Sequence, residues 1–181
     1  MNITVYLGAN KGNDPKLSEA VKELGEWIGK NGHSLVYGGS YNGLMGYIAD
    51  AVLDKGGKVT GVEPKKFIEL GYQHENITKL IVTETMSERK NIMAKLGDAF
   101  IAFPGGTGTL EEISEIMSRA ALDDIDAPCI IYNLNHYYDG LEQLLNRMIE
   151  DGLSDEYRQR NIYFCENMTE IEEILKGVRL V

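Results

Sequence analysis

Ala99-Phe100-Ile101-Ala102-Phe103-Pro104-Gly105-Gly106-Thr107-Gly108-Thr109-Leu110-Glu111-Glu112-Ile113 sits just past the middle of the chain. Five apolar, β-favouring residues run into a Pro-Gly-Gly-x-Gly-Thr turn, and a helix-period stretch follows at Ile113–Leu122. This is a strand, a glycine turn and a helix start. Glycines let backbone amides approach a ligand with no Cβ in the way. A helix start adds unsatisfied N–H groups and the positive end of the dipole, which together make an anion site.

The same alternation extends in both directions. Short apolar runs recur at Ile3–Leu7, Ser34–Tyr37, Lys58–Val62, Leu80–Thr83, Cys129–Tyr132 and Ile162–Cys165. Leu17–Ile28 and Leu44–Leu53 carry helical spacing between them. Strands alternating with helices predict an α/β fold, a Rossmann-like three-layer αβα sandwich on a mostly parallel sheet of about seven strands. The 181 residues are expected to form one domain, 1–181. In such folds the carboxyl ends of the strands carry the ligand loops. Two further glycine-rich loops stand at such ends, Gly8–Gly12 and Gly38–Gly46, which locates much of the glycine excess, 20 residues or about 11% against a usual ~7%.

Composition narrows the function. A net charge of −10 disfavours a nucleic-acid backbone as partner. There is no G-x-G-x-x-G in the first loop and no G-x-x-x-x-G-K-[ST] anywhere, which disfavours an ordinary dinucleotide enzyme and a P-loop ATPase. No basic leader and no long apolar run is apparent, so a cytoplasmic protein without a membrane span is expected. Cys129 and Cys165 read as reduced, packed thiols. His33, His74 and His136 lack metal-ligand spacing, so no metal is expected.

Two charged pairs remain to be explained. Glu111 and Glu112 read as first-turn residues, and Thr109-x-x-Glu112 fits a capping box, as do Thr85-x-x-Glu88 and Thr169-x-x-Glu172. The local pattern leaves Glu112 open between cap and catalyst. Only this box follows a glycine cradle. Arg89 and Lys90 read as first-turn cations after the fourth strand, set against the helix dipole, which calls for a nearby anion from protein or ligand. A sequential strand order would make strands four and five neighbours. Met86 and Met93 read as core or pocket wall, and Tyr137-Tyr138 as packing on a sheet edge or interface.

Taken together, Gly38-Gly39-x4-Leu44-Met45-Gly46, Gly61-Val62-x-Pro64-Lys65, Met86-x-x-Arg89-Lys90 and Pro104-Gly105-Gly106-x-Gly108-Thr109-x-x-Glu112 resemble the LONELY GUY family. These are cytokinin riboside 5′-monophosphate phosphoribohydrolases, long labelled as lysine decarboxylases. The resemblance implies a Rossmann-like homodimer without a cofactor. It would hydrolyse the N-glycosidic bond of AMP or N6-modified adenosine monophosphates to free base and ribose 5-phosphate. By motif, it implies Arg89 and Glu112 as the catalytic pair. It places Lys90, Gly105, Gly106, Thr107, Gly108, Thr109, Glu111, Gly39 and Met86 at the nucleotide. Gly71 stands where many members have an acidic substrate contact, and Ser87 where a histidine is common. A non-catalytic nucleotide or cofactor carrier on the same fold is the rival reading; it predicts binding without base release. Lysine decarboxylation is disfavoured, because no lysine has a setting suited to a pyridoxal Schiff base.

Overall fold

The computed structural model describes residues 1–178. Its seven strands are β1 (Asn2–Tyr6), β2 (Ser34–Tyr37), β3 (Lys58–Pro64), β4 (Lys79–Thr83), β5 (Ala99–Ala102), β6 (Cys129–Tyr132) and β7 (Ile162–Cys165). All pair in parallel, in the order β4-β3-β2-β1-β5-β6-β7. The helices between them are α1 (Pro15–Lys30), α2 (Gly43–Asp54), α3 (Lys65–Glu69), α4 (Met86–Leu96), α5 (Thr107–Ala121), α6 (Asp139–Glu150), α7 (Glu156–Gln159) and α8 (Met168–Lys176).

Strand period dictates the layers. Ile3, Val5 and Leu7 face the core packed under α1, α2 and α8, together with Leu35, Tyr37, Ile101, Phe103 and Ile130. The intervening Tyr6, Val36, Phe100, Ala102 and Ile131 face α4, α5 and α6 on the other side. Because successive side chains point to opposite faces, a sheet covered on both must be apolar at nearly every position. The central strands meet that demand, and β5 is buried throughout.

The expected neighbourhood of strands four and five does not hold. β4 is the edge strand, and β3, β2 and β1 lie between it and β5. The α4 crossover therefore returns under that half of the sheet, packing on β1, β2, β3 and β4. This long return carries the start of α4 beneath the ends of the central strands. The sheet reverses direction of growth between β1 and β5, the place where open α/β sheets leave a crevice for ligands.

Two capping assignments also change. α5 starts at Thr107 with Gly106 as N-cap and no side-chain cap bond. Glu111 and Glu112 thus stand one turn further in, and Thr109 does not cap. α8 is capped by Asn167, whose side chain accepts from the Glu170 amide at 3.1 Å, rather than by Thr169. The Thr85 cap holds: its Oγ1 accepts from the Glu88 amide at 3.1 Å. Arg89 and Lys90 follow that capped first turn rather than lying within it. Both cysteines are buried free thiols. Among the described residues no helix is long and apolar enough to cross a membrane, and none group as a metal-binding cluster.

Candidate active site

A cavity of about 390 Å³ opens at the carboxyl ends of β1, β2, β3 and β5. On one side stands the start of α5, with Gly106, Thr107, Gly108 and Thr109. α1, α4, α7 and α8 each have an Asp, Thr or Asn accepting from a first-turn amide. α5 has none. Its leading amides and dipole are left to whatever occupies the cavity. Two tyrosines hold the turn from outside: Tyr137 donates its hydroxyl to the Gly105 carbonyl at 2.6 Å, and Tyr138 to that of Phe103 at 2.9 Å.

The opposite wall is apolar and aromatic. Met45, Met86, Phe67 and Tyr72 line it, with the Phe67 and Tyr72 rings stacked at 6.3 Å and 19°. An antiparallel bridge between Ser40 and Gln73 ties this segment to the glycine loop after β2. The Tyr41 amide donates to the Tyr72 carbonyl, and the His74 amide to that of Gly39.

Between the walls sits an ion pair. Arg89 and Glu112 are 6% and 7% exposed, and Arg89 Nη1 donates to Glu112 Oε1 at 2.7 Å. Arg89 Nε donates to the Val62 carbonyl at 2.9 Å. Its Nη2 lies so close to Gly38 that a Cβ there would overlap it. The anion that the two cations demanded is therefore protein. Burial raises the pKa of Glu112, against the pull of the Arg89 charge and hydrogen bond. A buried pair of this kind is costly to desolvate, and removing one partner strands the other charge.

Lys90 and Glu111 form the outer pair. Lys90 Nζ donates to Glu111 Oε1 at 2.7 Å and lies 3.0 Å from Glu115 Oε2. These bonds raise the Lys90 pKa and lower that of Glu111. Of the residues predicted from sequence, Arg89, Glu112, Glu111, Gly106, Thr107, Gly108, Thr109 and Met86 all line the cavity. Gly105 instead lines an adjoining cavity of about 360 Å³, with Tyr137 and Asp14. Lys90 and Gly39 line neither; Gly39 lies behind Glu63.

Sequence reading missed Glu63, Phe67 and Tyr72, all of which line the cavity, and marked Asn10 only as part of the Gly8–Gly12 loop. β3 extends two residues past the expected Val62 end, and this extension delivers Glu63. A lone acidic residue between Val62 and Pro64 was the available signal. Phe67 and Tyr72 flank an exposed turn and gave none. A separate cavity of about 500 Å³ lies at the β7 edge among Leu145, Tyr163, Phe164 and Ile174. It holds none of the buried charges.

Comparison with known proteins places this geometry in a lineage. Residues 45–175 match the protein-family model described as "Possible lysine decarboxylase". A cytokinin riboside 5′-monophosphate phosphoribohydrolase of Rhodococcoides fascians is 36% identical over 98% of this chain and 89% of its own. One of Arabidopsis thaliana is 33% identical over 96% and 82%, and one of Oryza sativa subsp. japonica 36% over 93% and 70%. The molybdenum cofactor binding protein of Rippkaea orientalis shares the fold, with a TM-score of 0.72 at 22% identity over 98% of this chain and 96% of that one. The molybdenum cofactor carrier protein of Chlamydomonas reinhardtii does likewise, at 0.71 and 19% over 97% and 98%. Sequence identity above 30% along nearly the whole chain goes to the hydrolases alone among these relatives, and the chain belongs to the family of cytokinin riboside 5′-monophosphate phosphoribohydrolases.

Proposed function

We propose that this protein hydrolyses the N-glycosidic bond of AMP or of N6-modified adenosine 5′-monophosphates, releasing the free base and ribose 5-phosphate. One observation carries the reading. The buried Arg89–Glu112 pair lines the same cavity as the uncapped start of α5.

The phosphate takes the amides of Gly106, Thr107, Gly108 and Thr109, where helix-end dipole and free N–H groups compensate its charge. As the bond from C1′ to the base nitrogen breaks, positive charge develops on the ribosyl ring, and the Glu112 carboxylate stabilises it. Water adds to C1′; one of its protons passes to Glu112 and from Glu112 to the departing base nitrogen, which returns the carboxylate. Burial makes Glu112 a stronger base than a surface glutamate. The Arg89 charge and hydrogen bond oppose that rise in pKa and favour the carboxylate. Because Arg89 is tethered to Val62 on β3 rather than to the α5 turn, its free Nη2 serves the departing base more readily than the phosphate. Glu111, at the exposed rim, serves the ribose hydroxyls. A cytoplasmic homodimer is the working form we propose, and light scattering at twice the 20.2 kDa chain mass is the expected result.

Incubation with AMP, N6-isopentenyl-AMP, adenosine and lysine, followed by chromatography, tests the activity. Free base from the monophosphates, and none from adenosine, is the expected outcome. Cadaverine from lysine, or no product from any of the four, would sink it.

A further inference from the structure

Glu63 is the largest unexplained feature of the cavity. It is 2% exposed at the end of β3, next to the edge strand, lines the cavity, and its Oε2 has no hydrogen-bond partner among the described residues. Buried polar atoms are rarely left so; Oε2 lies against Gly39 at the back of the wall, and the carboxyl that lines the cavity still has a bond to make, which points to a ligand partner. The chain also makes room for it. Gly39 has φ +90°, and a Cβ there would stand 2.8 Å from Glu63 Cβ and 3.0 Å from Oε2. A side chain at position 39 would force Glu63 to shift.

Its position along the cavity decides what it meets. β3 and β5 are three strand spacings apart, about 14 Å. A nucleotide whose phosphate sits at the α5 turn beyond β5 therefore extends its base toward β3. There the stacked Phe67 and Tyr72, with Met45 and Met86, offer apolar surface to a flat ring. Glu63 is the one carboxyl on that wall among the lining residues.

We propose that Glu63 is a specificity-determining residue: its carboxyl accepts the exocyclic N–H of a 6-aminopurine and donates its own proton to the adjacent ring nitrogen. This rests on the nucleotide reading of the site. A carboxylic acid offers one donor and one acceptor side by side, the complement of that purine edge. Burial pushes the Glu63 pKa up to about 7, although the Arg89 charge pulls it down, so the neutral acid is populated near neutral pH. The groups facing it are Arg89 from α4 and the Tyr37 hydroxyl from β2, whose own pKa its charge helps raise. An N6-monosubstituted base keeps one N–H and remains a partner.

The test compares base release from AMP with that from purine riboside 5′-monophosphate, which lacks only the exocyclic amine. In Glu63→Leu the wild-type preference for AMP is expected to shrink roughly ten- to a hundredfold. Glu63→Gln, which keeps a donor and an acceptor, retains most of it. Equal losses on both nucleotides, as a purely structural role would give, overturn the proposal; so does an unchanged ratio. Should Glu63→Leu not fold, base release from AMP at pH 6 and pH 8, taken as the ratio of wild type to Glu63→Gln, decides. That ratio falls toward pH 8 as the wild-type donor proton is lost, since Glu63→Gln has no carboxyl to ionise. A level ratio overturns the assignment. If wild type releases no base from AMP, the reading of the reaction fails. Calorimetric dissociation constants for the two nucleotides then decide Glu63 by the same comparison, and failure of AMP to bind counts against it.

Discussion

Arg89 has five N–H groups, and the fold commits its Nε to Val62 and its Nη1 to Glu112. A lysine has neither the reach nor the fork to make both bonds. The motif Met86-x-x-Arg89-Lys90 made the cations legible, and their placement near a helix start demanded an anion. Which anion answers is a matter of the crossover, not of local sequence. For Glu112 the helix register removes the capping role, because α5 starts at Thr107 and Glu112 lies beyond its first turn. Glu112→Gln keeps an acceptor for Arg89 but loses the charge. Turnover should fall at least a hundredfold while the AMP dissociation constant, read by calorimetry, moves only a few-fold. Wild-type turnover in that variant would remove Glu112 from the chemistry. Gly39 offers a second residue-level check. At φ +90° it is strained for any side chain and crowds Glu63, whereas Gly56, at φ +76°, has open space around it. Gly56→Ala should cost about 1 kcal/mol from backbone strain alone, and Gly39→Ala measurably more by urea midpoint. Equal costs would mean that the cavity wall yields to the added methyl.

At the scale of elements, strand and helix periods gave most of the order of elements correctly, because buried parallel strands are continuous apolar runs. What failed were ends. Thr109-x-x-Glu112 satisfied a capping pattern, yet α5 begins three residues earlier at a glycine N-cap, since the Gly106–Gly108 backbone turns into the helix without a side-chain acceptor. The glycine at that cap leaves the first amides of α5 without a side-chain acceptor, the feature on which the proposed phosphate site rests. Gly106 has ordinary φ −90° and nothing within 4 Å of an added Cβ, so a side chain fits. Gly106→Ser should gain a few tenths of a kcal/mol as its hydroxyl caps α5. In the same variant AMP binding should weaken, because hydroxyl and phosphate compete for the same amides. Gly106→Asp should weaken it further, by roughly tenfold or more, through like-charge repulsion at the helix end. Thermal midpoint and AMP affinity moving in the same direction would contradict the cradle assignment.

Across the whole molecule, a chain of net charge −10 brings the start of α5, which no side chain caps, and one buried guanidinium to the sheet's switch point, the place proposed here for the nucleotide. The parallel sheet and its seven strands were legible from the sequence. The reach from β4 back beneath three strands was not, because strand order is set by long-range packing rather than by period. That topology brings together buried charges from β3, α4 and α5, and the assembly has a pH signature. Both Glu63 and Glu112 have pKa values raised by burial. A carboxyl whose folded pKa exceeds its unfolded value contributes stability that is complete below the unfolded pKa and is lost as pH rises through the folded one. For Glu63 that window runs from 4.5 to about 7. Within it the folded chain binds more protons than the unfolded chain, so stability declines toward alkaline pH. Glu63→Gln removes this titration. Its stability relative to wild type, measured by urea denaturation at equal protein concentration, should therefore rise between pH 4 and pH 8, by at most about 3 kcal/mol. The subtraction cancels the surface carboxylates, which titrate alike in both proteins. A difference that stays constant over that range would mean that Glu63 is already ionised in the fold, and the donor role assigned to it toward a purine nitrogen would fall with it.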